Sequence, residues 1–212
     1  MRIVFMGTTD FSVTLLCELM NHHTIELVVT QPDRPFGRKQ TLKMPPVKEI
    51  ALAKGLPVFQ PEKIKLDYQP ILDTKADIIV VAAYGQMIPK ALLNGAPYGC
   101  INVHASLLPK YRGGSPMHTA IKNGERVTGV TIMKMVMKMD AGDIYDQAEV
   151  PIEETDDVGI LEQKLAVLGG KRLVHVLSEL EHNTAQAHPQ DEALVTFAWN
   201  IKPEEERLNF NQ

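Results

Sequence analysis

Short apolar runs rich in β-branched residues alternate along the chain with segments whose apolar positions recur at helical spacing. Ile3 to Met6 is the first run and stops at Gly7, and Asp10 stands where it can cap an amphipathic helix reaching about Met20. Glu26 to Thr30 reads as a second strand. Val47 to Lys54 reads as a helix, Pro57 to Phe59 as a short strand and Tyr68 to Asp73 as a further helical stretch. The buried strand Ile78 to Ala83 follows, then Gly99 to Val103, whose end delivers Asn102 and His104. A helix from about Met117 to Asn123 precedes two extended segments, Gly129 to Met135 and Asp143 to Val150, and the helix Val158 to Glu181 packs back. Continuous apolar strands separated by helices predict an α/β fold: an open, mostly parallel sheet with helices on both faces. The two extended segments lie too close in sequence for a parallel crossover, so the portion near the C-terminal end is expected to be antiparallel.

One connection breaks this rhythm. From Gln31 to Pro46 the chain carries four prolines and four basic residues, Arg34, Arg38, Lys39 and Lys43, and reads as an irregular loop. A connection of that length inside a compact domain is more often functional than incidental. No internal repeat or low-complexity tract is present.

Composition narrows the classes. With 212 residues, 44% of them hydrophobic and 23% charged, the chain suits one large α/β domain and a short appendage. Residues 1–188 are expected to form the domain and residues 189–212 a peripheral tail or linker. A formal charge of -4 argues against a globally basic nucleic-acid binder, while leaving room for a local basic patch. Cys17 and Cys100 sit in apolar contexts without a CxxC or Cys/His pairing, as reduced, buried thiols of a cytoplasmic protein would. The N-terminal apolar run is too short for a signal peptide, and no window approaches the roughly 20 apolar residues that cross a bilayer.

Candidate chemistry centres on Asn102, His104 and Asp140. Asn102 and His104 lie two apart at a strand end, so alternation turns both side chains to one face. A neutral amide donor and an imidazole on one face can grip a developing oxyanion and move a proton, and a carboxylate can orient the imidazole or accept a proton. Taken singly each residue has a plainer reading. A histidine at a strand end is usually a satisfied surface or core residue, asparagine often caps turns, and Asp140 before Ala-Gly-Asp can initiate a turn. Ser106 lacks a Gly-x-Ser-x-Gly elbow, so turn or capping duty fits it better than nucleophilic attack. No metal is expected: His104 has no partner at His-x3-5-His spacing, and His22 and His23 read as the exposed end of a helix.

Longer motifs carry a resemblance. Met-Gly-Thr-Thr-Asp-Phe-Ser, Val-Thr-Gln-Pro-Asp-Arg-Pro-Phe-Gly-Arg, Ala-Tyr-Gly-Gln-Met-Ile-Pro-Lys, Gly-Cys-Ile-Asn-Val-His-Ala-Ser-Leu-Leu-Pro-Lys-Tyr-Arg-Gly-Gly-Ser-Pro and Gly-Val-Thr-Ile-Met closely resemble the methionyl-tRNA formyltransferases. The Asn-x-His, the Ser-Leu-Leu-Pro and the distal Asp are shared across the broader formyltransferase superfamily, whereas Gln-Pro-Asp-Arg-Pro narrows the likeness to the tRNA enzymes. The resemblance implies a Rossmann-like catalytic domain, here without the family's C-terminal barrel. It implies formyl transfer from 10-formyltetrahydrofolate to the α-amino group of initiator methionyl-tRNA, with Asn102, His104 and Asp140 catalytic.

The same likeness places Ser106, Leu107, Leu108 and Pro109 near the folate, with Gln86, Met87 and Ile88 as walls for the pterin. For Met87 and Ile88 ordinary core packing is an equal alternative. It sends the basic loop, with Arg34, Arg38, Lys39 and Lys43, into the acceptor end of the tRNA, although a charge run is usually a solvated face. The segment Gly7 to Asp10 opens a helix where related glycinamide ribonucleotide enzymes hold phosphate. Asp10 would repel phosphate, which disfavours that substrate, and Thr9 stands where the family usually has Pro. A monomer without membrane contact is expected. Two other classes stay open: another folate-dependent enzyme on this scaffold, such as a sugar N-formyltransferase or a formyl hydrolase, and a non-catalytic tRNA- or folate-binding module.

Overall fold

The strand β1 (Arg2–Gly7) buries both of its faces, and that two-sided burial organises the molecule. Residues 1–37 and 40–201 are described in the computed structural model of the chain. Ile3 and Phe5 point into one apolar layer while Val4 and Met6 point into the other. The parallel neighbours of β1 are β2 (Thr24–Val29) and β6 (Ile78–Ala82), and the short β5 (Val58–Phe59) continues the sheet beyond β2. On the other side β7 (Cys100–His104) pairs parallel with β6, β8 (Val127–Lys134) pairs antiparallel with β7, and β9 (Ile144–Pro151) pairs antiparallel with β8. The order β5-β2-β1-β6-β7-β8-β9 is the expected mostly parallel sheet with an antiparallel portion near the C-terminal end.

Helices α1 (Asp10–Met20) and α6 (Val158–Glu181) cover one face, with Leu15, Leu16, Leu165, Leu173 and Leu177 in its core. Burying each such leucine contributes about 1.5–3 kcal/mol. Two mid-helix glycines, Gly169 and Gly170, cost roughly 1 kcal/mol each in propensity, so packing decides that α6 forms. They also set its distance: a Cβ on Gly169 would lie 3.2 Å from side-chain atoms of Val103 and Val130, so the helix rests directly on the strand that carries Asn102 and His104. The opposite face is covered by loops and by the short α3 (Gln69–Asp73) and α4 (Lys90–Leu93), through Ile64, Ile71 and Leu92. The remaining helices are α2 (Pro46–Ala53) and α5 (Pro116–Lys122). Among the described residues no helix is long and apolar enough to cross a membrane. Cys17 and Cys100 are free, Cys17 is half-buried, and burial pushes the Cys100 thiol well above its ordinary pKa.

Three expectations change. The cap of α1 is Thr9, and Asp10 is instead its first helical residue, where a carboxylate suits the positive end of the helix dipole. The basic segment is not irregular: β3 (Arg34–Phe36) and β4 (Thr41–Lys43) form a two-stranded antiparallel hairpin. Pro35 is tolerated because a two-stranded ribbon is all edge, so its missing N–H need not leave a ladder bond unmade. Arg38 and Lys39 lie outside the described residues. The third concerns the described part of the expected tail, residues 189–201, part of which packs against the loop from Tyr111 to Gly114.

Candidate active site

The carboxyl ends of β1, β6 and β7 open onto a cavity of about 730 Å³. Strand order reverses between β1 and β6, the place where open α/β sheets leave a crevice for ligands. Thr9 and Phe11 line it after β1, Ala83 to Ile88 after β6, and Asn102 and His104 from the end of β7. Asp140 joins them from the loop between β8 and β9, so the structure brings the trio to one space.

Asn102 is 9% exposed and His104 7% exposed, both on the cavity side of β7 as their two-residue spacing requires. Among the described residues the Asn102 carboxamide bonds to no other group, so its NH2 is available to a ligand. His104 is oriented by the backbone: its Nε2 lies 2.9 Å from the carbonyl oxygen of Tyr111. A carbonyl only accepts, so Nε2 carries the hydrogen and Nδ1 is the nitrogen turned toward Asp140. Nδ1 lies 3.9 Å from Asp140 Oδ2. That distance is too long for the pair to share a proton, which passes only if the gap closes or a group intervenes.

Asp140 is held in a conformation that most side chains avoid and that Asp tolerates better than most. Its φ of 47° is left-handed, which costs a non-glycine residue roughly 1–2 kcal/mol. Its Oδ2 accepts a 2.8 Å hydrogen bond from the Gly113 backbone N–H. A hydrogen bond to an ionised acceptor contributes about 1.5–3 kcal/mol, enough to offset the strain. Gly113 itself has φ 120°, and a Cβ there would meet the Ala198 carbonyl oxygen at 2.5 Å, so glycine is required where the C-terminal segment crosses.

That segment was missed in the sequence because it is polar and lacks periodicity. His188 bridges Ile144, the first residue of β9. The Arg112 N–H donates to the Thr196 carbonyl at 2.9 Å, the Ala198 N–H returns to the Arg112 carbonyl at 2.8 Å, and the Tyr111 N–H donates to Thr196 Oγ1 at 2.9 Å. Ala198 is thereby buried, and Trp199 and Asn200 line the cavity rim. Met117, His118 and Glu162 also line it without having been singled out.

The expected folate positions divide. Gln86, Met87 and Ile88 line the cavity, with Met87 exposed and Ile88 buried. The Gln86 amide is committed to the fold: its Oε1 accepts from the Ile64 N–H at 2.9 Å and its Nε2 donates to Gln31 Oε1 at 3.1 Å. Ser106, Leu107, Leu108 and Pro109 are not among the lining residues. They shape the loop beneath it: Ser106 Oγ donates to the Lys110 carbonyl at 2.7 Å, the Leu108 N–H donates to Thr131 Oγ1 at 3.1 Å, and Leu108 is buried.

The basic hairpin is tied to the same cavity wall. Asp33 at its root accepts from Lys48 Nζ at 2.7 Å and from Gln60 Nε2 at 2.8 Å, and these bonds hold its carboxyl below its ordinary pKa, the Gln60 bond most. Gln31 Nε2 donates to the carbonyl of Tyr84, a residue of the lining loop. Arg34 is exposed and pairs with Glu62 at 2.9 Å, and Lys43 lies on β4.

Comparison with known proteins shows the family and the fold. Residues 1–177 match the family described as formyl transferase. The chain is 51% identical over 212 residues to the methionyl-tRNA formyltransferase of Staphylococcus epidermidis, a match covering 99% of this chain and 68% of that protein. In fold it is similar to the N-formyltransferase of Helicobacter canadensis solved with folinic acid and dTDP-3-aminofucose, with TM-score 0.74 and 18% identity over 99% of this chain and 75% of that one. It is also similar to glycinamide ribonucleotide transformylase 1 of Symbiobacterium toebii, with TM-score 0.73 and 18% identity over 90% of this chain and 94% of that one.

Proposed function

The chain belongs to the formyl transferase family, with methionyl-tRNA formyltransferases as near relatives, and on that premise we propose that it formylates the α-amino group of initiator methionyl-tRNA, using 10-formyltetrahydrofolate as donor. The observation that carries the reading is the convergence of a free carboxamide, an oriented imidazole and a carboxylate on one cavity.

The amine nitrogen attacks the formyl carbon, forming the new C–N bond while the carbonyl electron pair moves to oxygen. Asn102 donates to that oxyanion, an interaction typically worth about 3–4 kcal/mol in the transition state. The pair His104 Nδ1 and Asp140 receives the amine proton and returns a proton to the folate nitrogen as its bond to the formyl carbon breaks. The products are formylmethionyl-tRNA and tetrahydrofolate, and the protons balance within the pair. Gln86, Met87 and Ile88 form one wall for the folate, and the loop Ser106 to Pro109 supports the strand end beside it. The hairpin, with Arg34, Arg38, Lys39 and Lys43, meets the acceptor end of the tRNA, where guanidinium groups grip phosphate or stack on unpaired bases.

Incubation with 10-formyltetrahydrofolate and initiator methionyl-tRNA is expected to yield formylmethionyl-tRNA. Formate release with the aminoacyl-tRNA unchanged, or transfer confined to an amino sugar nucleotide, would overturn the assignment.

A further inference from the structure

Asp140, left-handed within the nine-residue connection between β8 and β9 that spans 135–143, is held by more than one bond. The second restraint comes from a residue 50 positions along the chain. Gln190 Nε2 donates to the Asp140 carbonyl at 2.8 Å and to the Gly142 carbonyl at 2.8 Å, so one amide group ties both ends of the turn. Its Oε1 accepts from Arg112 Nε at 3.0 Å and from Arg112 Nη2 at 2.8 Å. The Arg112 side chain is fully buried, and Nη2 also pairs with Glu192 at 3.0 Å. The network allows only one orientation of the Gln190 amide, because a flip would set NH2 against the guanidinium and oxygen against two carbonyls. Arg112 directly precedes Gly113, whose N–H holds the Asp140 carboxylate. Both ends of Asp140, backbone and side chain, are thus fastened to one short stretch of chain.

We infer that Gln190 is a positioning residue, which acts through Asp140 to set the carboxylate against His104 Nδ1. This rests on the reading of Asp140 as part of the proton-transferring pair. Gln190 lies in the segment that crosses the site, so on this inference that segment is part of the catalytic unit. The buried guanidinium favours this geometry: its Nε and Nη2 both donate to Gln190 Oε1 while its buried Nη1 has no partner among the described residues, and the amide that accepts from it turns its NH2 toward the turn.

The test uses Gln190→Glu, Gln190→Met and Asp140→Asn in the full-length protein, with kcat, KM for each substrate, the pH–rate profile and the thermal midpoint measured for each. Gln190→Glu keeps an acceptor for Arg112 and replaces only the donor to the turn, whereas Gln190→Met removes both at similar size. Misplacing a catalytic group by about 1 Å costs up to about a hundredfold in rate. The expected result is a kcat loss of about tenfold or more in both Gln190 variants, with KM for both substrates within about threefold and a displaced pH–rate profile. A role confined to stability would lower the thermal midpoint and leave the pH–rate profile of the folded fraction unmoved, overturning the inference. So would wild-type kcat in both Gln190 variants when Asp140→Asn is inactive. If Asp140→Asn keeps its rate, the reading of Asp140 itself fails, a result distinguishable from the other two.

Discussion

The Nε2–H of His104 is spent on the carbonyl of Tyr111, 2.9 Å away, and this leaves Nδ1 as the nitrogen facing Asp140. The imidazole is held by the backbone of the loop that follows its own strand, not by Asp140, which lies at 3.9 Å. Removing the carboxylate therefore leaves the ring's own backbone anchor in place.

Asn102→Ala is expected to lower kcat by about 10²–10³. Because the carboxamide bonds to no other described residue, unfolding free energy is expected to change by less than about 1 kcal/mol. Steady-state kinetics beside thermal denaturation checks both, and a large stability loss would recast Asn102 as a structural residue.

Asp140→Asn and Asp140→Ala separate charge from strain. Asparagine tolerates the left-handed region better than alanine and keeps an acceptor for the Gly113 N–H. Both variants are expected to lose most activity, with alanine additionally destabilised by about 1–3 kcal/mol through the orphaned N–H. Equal stability of the two, by chemical denaturation, would contradict the account of the strained turn.

Tyr111 and Glu125 predict a pH dependence of stability. The Tyr111 hydroxyl donates to Glu125 Oε1 at 2.5 Å and holds that carboxyl below its ordinary pKa. A depressed carboxylate contributes stability above its unfolded pKa of about 4.3 and loses it as pH falls through the folded value. Burial, and then Glu125, raises the Tyr111 pKa, so its contribution is present below about pH 10 and fades as pH rises through the folded value. The destabilisation caused by Tyr111→Phe should be largest between these limits and shrink at both. Thermal midpoints of the two proteins across pH 3–11 (roughly the span of both ordinary values) test it, and a pH-independent difference would count against the pair.

For the hairpin, Arg38→Ala is expected to impair use of methionyl-tRNA far more than folate binding. A lost phosphate contact weakens tRNA affinity and lowers the magnitude of its salt dependence by about one unit. Arg34→Ala should do less, since that side chain already pairs with Glu62. Equal losses in folate-binding and formylation assays would argue against tRNA contact.

Much of this was legible in residue order. Apolar runs such as Ile3 to Met6 and Ile78 to Ala82 can form stable structure only by burying both faces, and that demand specified the parallel sheet. The period of two along β7 put Asn102 and His104 on one face without reference to any distant residue. The tertiary structure alone decided the tautomer of His104, the seat of Asp140 on the Gly113 N–H, the hairpin formed by β3 and β4, and the passage of residues 188–200 across the site. These depend on which backbone amides and carbonyls meet across long separations in the chain. Every residue except proline carries the same backbone donor and acceptor, so side-chain pattern encodes where strands and helices form, while long-range pairing of those identical groups emerges only when the chain has folded.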